Sequence, residues 1–222
     1  VKLYNSDQTS YYRSSEVEAV IHKALNYWFT AKPVCLNWWY NQIGIPKTLG
    51  TVFILFEKQL TPVEKQNAIT VMENAKFGMT GQNKVWLAGN VMMRALLQND
   101  YELVKMARDT IASEIVTGGA EGIKDDWCFH QHGAQQQFGN YGLSFVSGMS
   151  FFSGLFSGTS LAFDDKQLSI LSTLIDKGYR WVIWKGMMDV NALGRQLFHH
   201  APVHKALSLA FAASELGGGE SD

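Results

Sequence analysis

The run His130-Gln131-His132-Gly133-Ala134-Gln135-Gln136-Gln137-Phe138-Gly139-Asn140-Tyr141 concentrates side chains that donate and accept hydrogen bonds. So many amides are costly to bury without partners. The run is therefore either a polar surface loop without chemistry or a site whose ligand fills those bonds. His130 and His132, with His199, His200 and His204 further along, also raise metal ligation. An H-x-H pair lacks the i, i+4 spacing and the further ligands of a specific zinc motif. Asp125 and Asp126 could in principle serve glycoside hydrolysis, in which two carboxylates flank the scissile bond. Adjacent residues rarely straddle a substrate, so a second carboxylate would have to come from elsewhere. A second aromatic and amide-rich segment, Asn37-Trp38-Trp39-Tyr40-Asn41-Gln42, precedes Ile43-Gly44-Ile45-Pro46. Neighbouring tryptophans cannot both enter one helix-facing core. Either one is core and the other a boundary residue, or the pair forms a platform on which sugar rings stack.

Composition narrows the ligand. Nineteen basic residues against 20 acidic ones give a net charge of -1, so no global positive field exists to hold nucleic acid. An anionic ligand has to be gripped locally. Seven Trp and eight Tyr, set among Asn, Gln and His, favour a glycan, whose C–H faces stack on rings while its hydroxyls need amides. No P-loop, dinucleotide fingerprint or nucleophile elbow is present. The two cysteines, Cys35 and Cys128, allow at most one bridge and leave the compartment open. The longest apolar stretches, such as residues 51–56, are too short to span a bilayer, and no basic, apolar leader begins at Val1. The reading is a soluble chain, processed or excised.

These groups must be positioned by helices. Ser15 with Glu18 reads as a capping box before apolar residues at helical spacing, Val17, Val20, Ile21, Ala24, Leu25 and Trp28. Pro46 opens a second helix, and Thr61, Pro62 and Glu64 open a third. Further helices are expected over 84–97, over 101–115 behind an Asp100 cap, and over 141–156, 165–184 and 203–216. No alternating run bounded by hairpin turns stands out, so the fold class is all-α, built of helical hairpins. Residues 117–140, rich in glycine, aromatics, amides and histidines, are the exception, and long structured loops are usually functional. Residues 1–216 read as a helical domain. The tail Gly217-Gly218-Gly219-Glu220-Ser221-Asp222 reads as a flexible linker or boundary.

Four blocks, taken together, resemble polysaccharide lyase family 8, the family of chondroitin AC, hyaluronate and xanthan lyases. They are residues 37–46; Thr80-Gly81-Gln82-Asn83-Lys84; His130-Gln131-His132-Gly133 through Tyr141-Gly142; and Asp189-Val190-Asn191-Ala192-Leu193-Gly194-Arg195. They fall in the family's order, and the nine-residue interval from His132 to Tyr141 and the late Gly-Arg pair make the match specific. The resemblance implies an incomplete (α/α) toroid of helical hairpins. It assigns Asn83 to neutralising a uronate carboxylate, His132 and Tyr141 to catalysis, and Arg195 as the arginine partner. The aromatic patch at Trp38 and Trp39 becomes the sugar-stacking wall, with Asn37 and His199 at substrate-binding positions. His199 stands where some members carry a second arginine, and Ala134 replaces the proline common after His-Gly.

The implied chemistry is β-elimination in a glucuronate-containing acidic glycan of the chondroitin or hyaluronan type, leaving a C4=C5 unsaturated uronate end. It needs no cofactor and no metal. The implied partner is an acidic polysaccharide, neither nucleic acid nor a membrane, and the implied location is secreted or periplasmic. The family normally follows its helical region with β-sandwich domains, so a downstream β-domain of the same or another chain is expected. A non-catalytic glycan-binding fragment and a metal-dependent hydrolase using the histidines are the alternatives. The C5 proton is weakly acidic beside a charged carboxylate, so an amide such as Asn83 has to stabilise the charge that develops when it leaves. A free tyrosine, with pKa of about 10, is a poor base near neutrality. Arg195 and His132 nearby would favour its phenolate, and the same Tyr141 can return the proton to the departing O4.

Overall fold

Start signals written in the sequence recur as helix caps in the computed structural model, which describes residues 1–216. The tail expected at 217–222 lies outside the described residues. The chain divides into two compact units, Val1–Gly78 with Trp86–Arg108, and Met79–Val85 with Asp109 onward.

In the first unit, helix α1 (Lys2–Asn5) precedes α2 (Ser15–Ala31), whose N-cap is Ser14 and not Ser15. The Ser14 hydroxyl accepts from the Val17 N–H, while Glu18 is drawn off to accept the Tyr4 hydroxyl, so the expected capping box does not form. Helix α3 (Ile45–Leu55) carries Pro46 in its first turn, where the missing N–H costs nothing. Helix α4 (Pro62–Met72) has the full capping box between Thr61 and Glu64. Glu64 also accepts from His22 Nδ1 at 2.8 Å. Burial pushes that carboxyl up, but the Thr61 backbone N–H and His22 outweigh it and hold Glu64 below the ordinary range. Leu25, Phe29, Phe53, Phe56, Ala68 and Met72 form the core that these helices share.

Helix α5 (Gly81–Gln98) gives its first turn to the second unit and the remainder to the first. Helix α6 (Tyr101–Ala112) starts as expected, with Asp100 accepting the Leu103 N–H at 3.0 Å, but ends three residues early.

In the second unit, residues 117–140 contain a small hairpin missed at the sequence level. Strands β1 (Gly122–Ile123) and β2 (Phe129–His130) pair antiparallel, Gly122 opposite His130 and Ile123 opposite Phe129. Helix α7 (Leu143–Phe156) follows a π-helical turn, Phe138–Gly142. Helix α8 (Asp165–Thr173) is shorter than expected. It passes through a π turn, Leu174–Gly178, and a 3-10 turn, Tyr179–Val182, into strands β3 (Ile183–Trp184) and β4 (Met187–Met188). A tertiary contact that local pattern does not show lies at this point: a Cβ at Gly178 would meet the Trp127 carbonyl oxygen at 2.3 Å, so the chain turns there in close contact. Lys185 and Gly186 then both take positive φ, which a tight hairpin requires. Helix α9 (Ala201–Leu216) packs on α7 and β4. Phe129, Phe145, Val146, Met149, Leu174 and Tyr179 form the buried centre of this unit. The fold is mostly helical, as expected, with these two short hairpins added.

Candidate active site

His132 Nε2 lies 3.0 Å from the Tyr141 hydroxyl oxygen, and the two rings meet edge to face, 5.0 Å apart at 87°. A perpendicular imidazole bonded to the phenol through one nitrogen suits exchange of a proton between them. His132 is exposed and adopts φ +60, a left-handed conformation uncommon outside glycine that its surroundings must hold.

That constraint comes from Glu121, just before β1. Its carboxylate accepts the Gly133 N–H at 3.1 Å, the Thr80 hydroxyl at 2.5 Å and the Gln131 amide. Burial raises the Glu121 pKa, but the Thr80 hydroxyl, the backbone N–H groups of Gly133 and His132 and the charge of the His132 ring together hold it below the ordinary carboxylate range.

Gln131, 1% exposed, carries the connection to Asn83. Its amide oxygen accepts the Gln82 N–H at 2.9 Å in the first turn of α5, and its NH₂ donates to the Thr80 carbonyl at 3.3 Å. Glu114 fixes the same turn by accepting the Gly81 N–H at 2.6 Å and pairing with Lys84 at 2.8 Å. Gly81 is required there, because its φ is +58 and a Cβ would come within 2.4 Å of Gln131 Oε1. Asn83 is buried beside fully buried Gln82, and among the described residues Asn83 Oδ1 and both amide atoms of Gln82 have no hydrogen-bond partner. Buried amides without partners are costly and suit a place where a ligand completes the bonding.

Tyr141 is aimed by the π turn Phe138–Gly142, and π turns inside helices are frequent at functional sites. The buried Tyr179 hydroxyl donates to the Phe138 carbonyl at 3.1 Å, and burial drives Tyr179 well above the ordinary phenol pKa. Ala192-Leu193-Gly194 comes close against the same turn. A Cβ on Gly139 would approach the Ala192 carbonyl oxygen to 2.5 Å, and one on Gly194, at φ +65, would approach Asn140 Nδ2 to 2.4 Å. Arg195 is thus delivered beside the residue that precedes Tyr141. It is exposed and forms no hydrogen bond or ion pair among the described residues.

The other sequence-level candidates divide. His199 is exposed and lies against His200, ring centroids 3.7 Å apart, and His200 lies 6.0 Å from His204. Among the described residues no three His, Cys, Asp or Glu side chains are arranged to hold a metal ion. Asp126 accepts the Cys128 N–H at 3.0 Å, and that bond is the main reason its pKa lies below the ordinary value. In the first unit, Trp39 is half-buried and meets Trp86 edge-on at 5.6 Å, while Trp38 is 44% exposed. Gly44 makes room for Trp39, since a Cβ there would meet its ring at 2.7 Å. Asn37 is exposed, and its side-chain oxygen accepts the Trp39 N–H at 3.0 Å. One tryptophan is therefore structural and the other presents its ring to solvent.

The family model of the polysaccharide lyase family 8 N-terminal α-helical domain matches residues 1–214. The chain belongs to polysaccharide lyase family 8. It is 30% identical over 200 residues to a chondroitinase-AC of Pedobacter heparinus, covering 88% of this chain and 29% of that protein. It is 26% identical over 201 residues to a xanthan lyase of Bacillus, covering 85% of this chain and 22% of the relative. The family 8 chain thus spans under a third of these relatives. Among solved structures, the chondroitin AC lyase of Streptomyces coelicolor in complex with chondroitin sulphate superposes with a TM-score of 0.87 at 20% identity. That superposition covers 99% of this chain and 33% of the other. At that identity the likeness concerns the fold alone.

Glu121, Gln131, Gln196 and Lys205 were not singled out as site residues in the sequence. For Lys205 a signal existed: it falls on the apolar stripe of α9 with Ala201, Leu209 and Ala212, where a charge is out of place.

Proposed function

We propose that this family 8 chain cleaves a glucuronate-containing acidic glycan of the chondroitin or hyaluronan type by β-elimination. The observation that carries the reading is the 3.0 Å contact between His132 Nε2 and the Tyr141 hydroxyl, held on a constrained loop and a π turn. Tyr141, as the phenolate, takes the C5 proton. The electron pair of that bond forms C4=C5 as the C4–O4 bond breaks, and Tyr141 returns the proton to O4. Asn83 faces the uronate carboxylate and stabilises the charge that it gathers. Groups aimed at developing charge contribute roughly 10²–10³ in rate for each donor. His132 exchanges the proton with Tyr141, Arg195 is the arginine partner of that pair, and the exposed ring of Trp38 offers a stacking surface for a sugar. His199 and Asn37 complete the proposed contacts with the substrate. A glycan-degrading enzyme of this kind acts outside the cytoplasm, and among the described residues no helix is long and apolar enough to cross a membrane.

The test is initial formation of ultraviolet-absorbing unsaturated product from chondroitin, hyaluronan and xanthan, with Tyr141→Phe as the comparison. The substitution should reduce kcat by about 10²–10⁴ while binding is retained, because the acid and base role lies in the transition state. Saturated products, or a Tyr141→Phe variant as fast as the unaltered protein, would overturn the reading.

A further inference from the structure

Lys205 is 7% exposed, on the buried face of α9 with Ala201, Leu209 and Ala212. A buried ammonium is costly unless it is paired or fully hydrogen-bonded. Among the described residues no carboxylate pairs with it, and burial pushes its pKa below the ordinary lysine value. Its donors go to three oxygens: the Gly139 carbonyl, Asn140 Oδ1 at 3.3 Å and Gln196 Oε1 at 2.7 Å. A lysine has three N–H donors, so the set is complete.

The three acceptors share a location. Gly139 and Asn140 belong to the π turn and immediately precede Tyr141, and Gln196 immediately follows Arg195. Within the turn, the Leu143 N–H is directed at the carbonyls of Phe138 and Asn140, passing over the carbonyl of Gly139 between them. Lys205 donates to that passed-over carbonyl. Relaxation of a π turn into α register shifts one flank by one position relative to the other, a rotation of roughly 100° about the helix axis that is taken up within the turn, where Tyr141 sits. Tyr141 would then leave His132. A leucine on this apolar stripe would pack at lower cost, so packing does not account for the ammonium.

We propose that Lys205 is a positioning residue, which holds the π turn of Tyr141 in register and ties it through Gln196 to the segment that carries Arg195. Its role in catalysis rests on the lyase reading above. Its effect on geometry does not, and the test separates the two.

The protein is labelled with ¹⁵N-histidine, and the His132 Nε2 resonance, assigned with His132→Ala, is followed in the unaltered protein, Tyr141→Phe and Lys205→Met. Kinetics on a glucuronate polymer are measured in parallel. Lys205→Met should shift the resonance to its position in Tyr141→Phe, lower kcat by about tenfold or more and leave KM within about threefold. Lys205→Arg, which keeps the charge and the donors, should recover part of both. A folded Lys205→Met with unaltered resonance and unaltered kcat would overturn the proposal. If Lys205→Met does not fold, Gln196→Leu carries the test, since Gln196 is exposed and its loss cuts only the tie to the Arg195 segment. A kcat lowered by about three- to tenfold is expected there, and an unchanged kcat would overturn the tie. If the unaltered protein forms no unsaturated product from any glycan, the lyase reading fails, and the His132 resonance alone decides whether Lys205 positions Tyr141.

Discussion

The side-chain oxygen of Gln131 accepts the backbone N–H of Gln82 at 2.9 Å, which joins the loop of His132 to the helical turn of Asn83. Gln131 and His132 are consecutive, as are Gln82 and Asn83, so one buried amide sets two proposed catalytic groups in a common frame. The frame is closed by Glu121, which holds the Gln131 amide and the Gly133 N–H at once. Order at such a site comes from the residues behind the reacting groups, which hold them to productive geometry before substrate arrives.

Glu121 makes that frame sensitive to acid. Its folded pKa lies below the ordinary 4.5, so the ionised carboxylate contributes stability that is fully present above the unfolded value and is lost as pH falls through the folded one. Exchange of the Gly133 amide hydrogen should therefore quicken as pH drops below 4.5, after correction for intrinsic exchange. In Glu121→Gln it should be fast throughout and show no such transition. Protection of Gly133 in that variant equal to the unaltered protein would remove Glu121 as the anchor.

Gly194 tests whether close packing of the Arg195 segment matters to the chemistry. Alanine at φ +65 carries the left-handed penalty of about 1–2 kcal/mol, and its Cβ would also strike the Asn140 amide at 2.4 Å. Gly158 has φ +72 with nothing near its Cβ direction, so Gly158→Ala carries the same penalty without the collision. Both variants should lose thermal stability, and Gly194→Ala alone should lose about tenfold in kcat. Equal kcat for the two would detach Arg195 from the site.

Local rules recovered what local interactions decide. The Thr61 capping box, the Asp100 cap and Pro46 in a first turn stand where the sequence puts them. Ser14 displaced Ser15 because Tyr4, distant in sequence, takes Glu18 away from the cap. The π turn at Tyr141 has no local signature. Its irregular register is held from outside by the Tyr179 hydroxyl on the Phe138 carbonyl and by Lys205 on that of Gly139. Glu121 was invisible for a similar reason, since only the pairing of β1 with β2 brings it to Gly133. His132 and Tyr141 stand out through the nine-residue spacing that resembles the family's, and the structure joins the two by a hydrogen bond.

The two neighbouring tryptophans should separate by experiment. Trp38 presents its ring to solvent, so Trp38→Ala should weaken glycan binding by ~1 kcal/mol, about fivefold in Kd, with little change in unfolding temperature. Trp39 packs edge-on against Trp86, so Trp39→Ala should cost about 2–4 kcal/mol of stability. Calorimetric titration with a chondroitin oligosaccharide and thermal unfolding of both variants provide the check. Unchanged affinity in Trp38→Ala would return that residue to a structural role.

The stereochemistry of the proposed reaction follows from the use of one tyrosine for two proton transfers. If Tyr141 removes the C5 proton and then protonates O4, both events occur on the face of the sugar that the phenol occupies, and the elimination is syn. In glucuronate the C5 hydrogen and O4 lie on the same face of the ring. In iduronate, its C5 epimer, they lie on opposite faces, so a single phenol cannot serve both atoms. Initial rates on chondroitin sulfate should therefore exceed those on an iduronate-rich dermatan sulfate of equal length, and residual cleavage of the latter should map to its glucuronate residues. Efficient cutting at iduronate would require a second base. His130 is half-buried in strand β2 of the hairpin and His199 is exposed against His200, so those two are the residues to substitute first. Retention of iduronate cleavage in both single variants, and its loss in Tyr141→Phe, would show that one phenol reaches both faces and that the syn assignment is wrong.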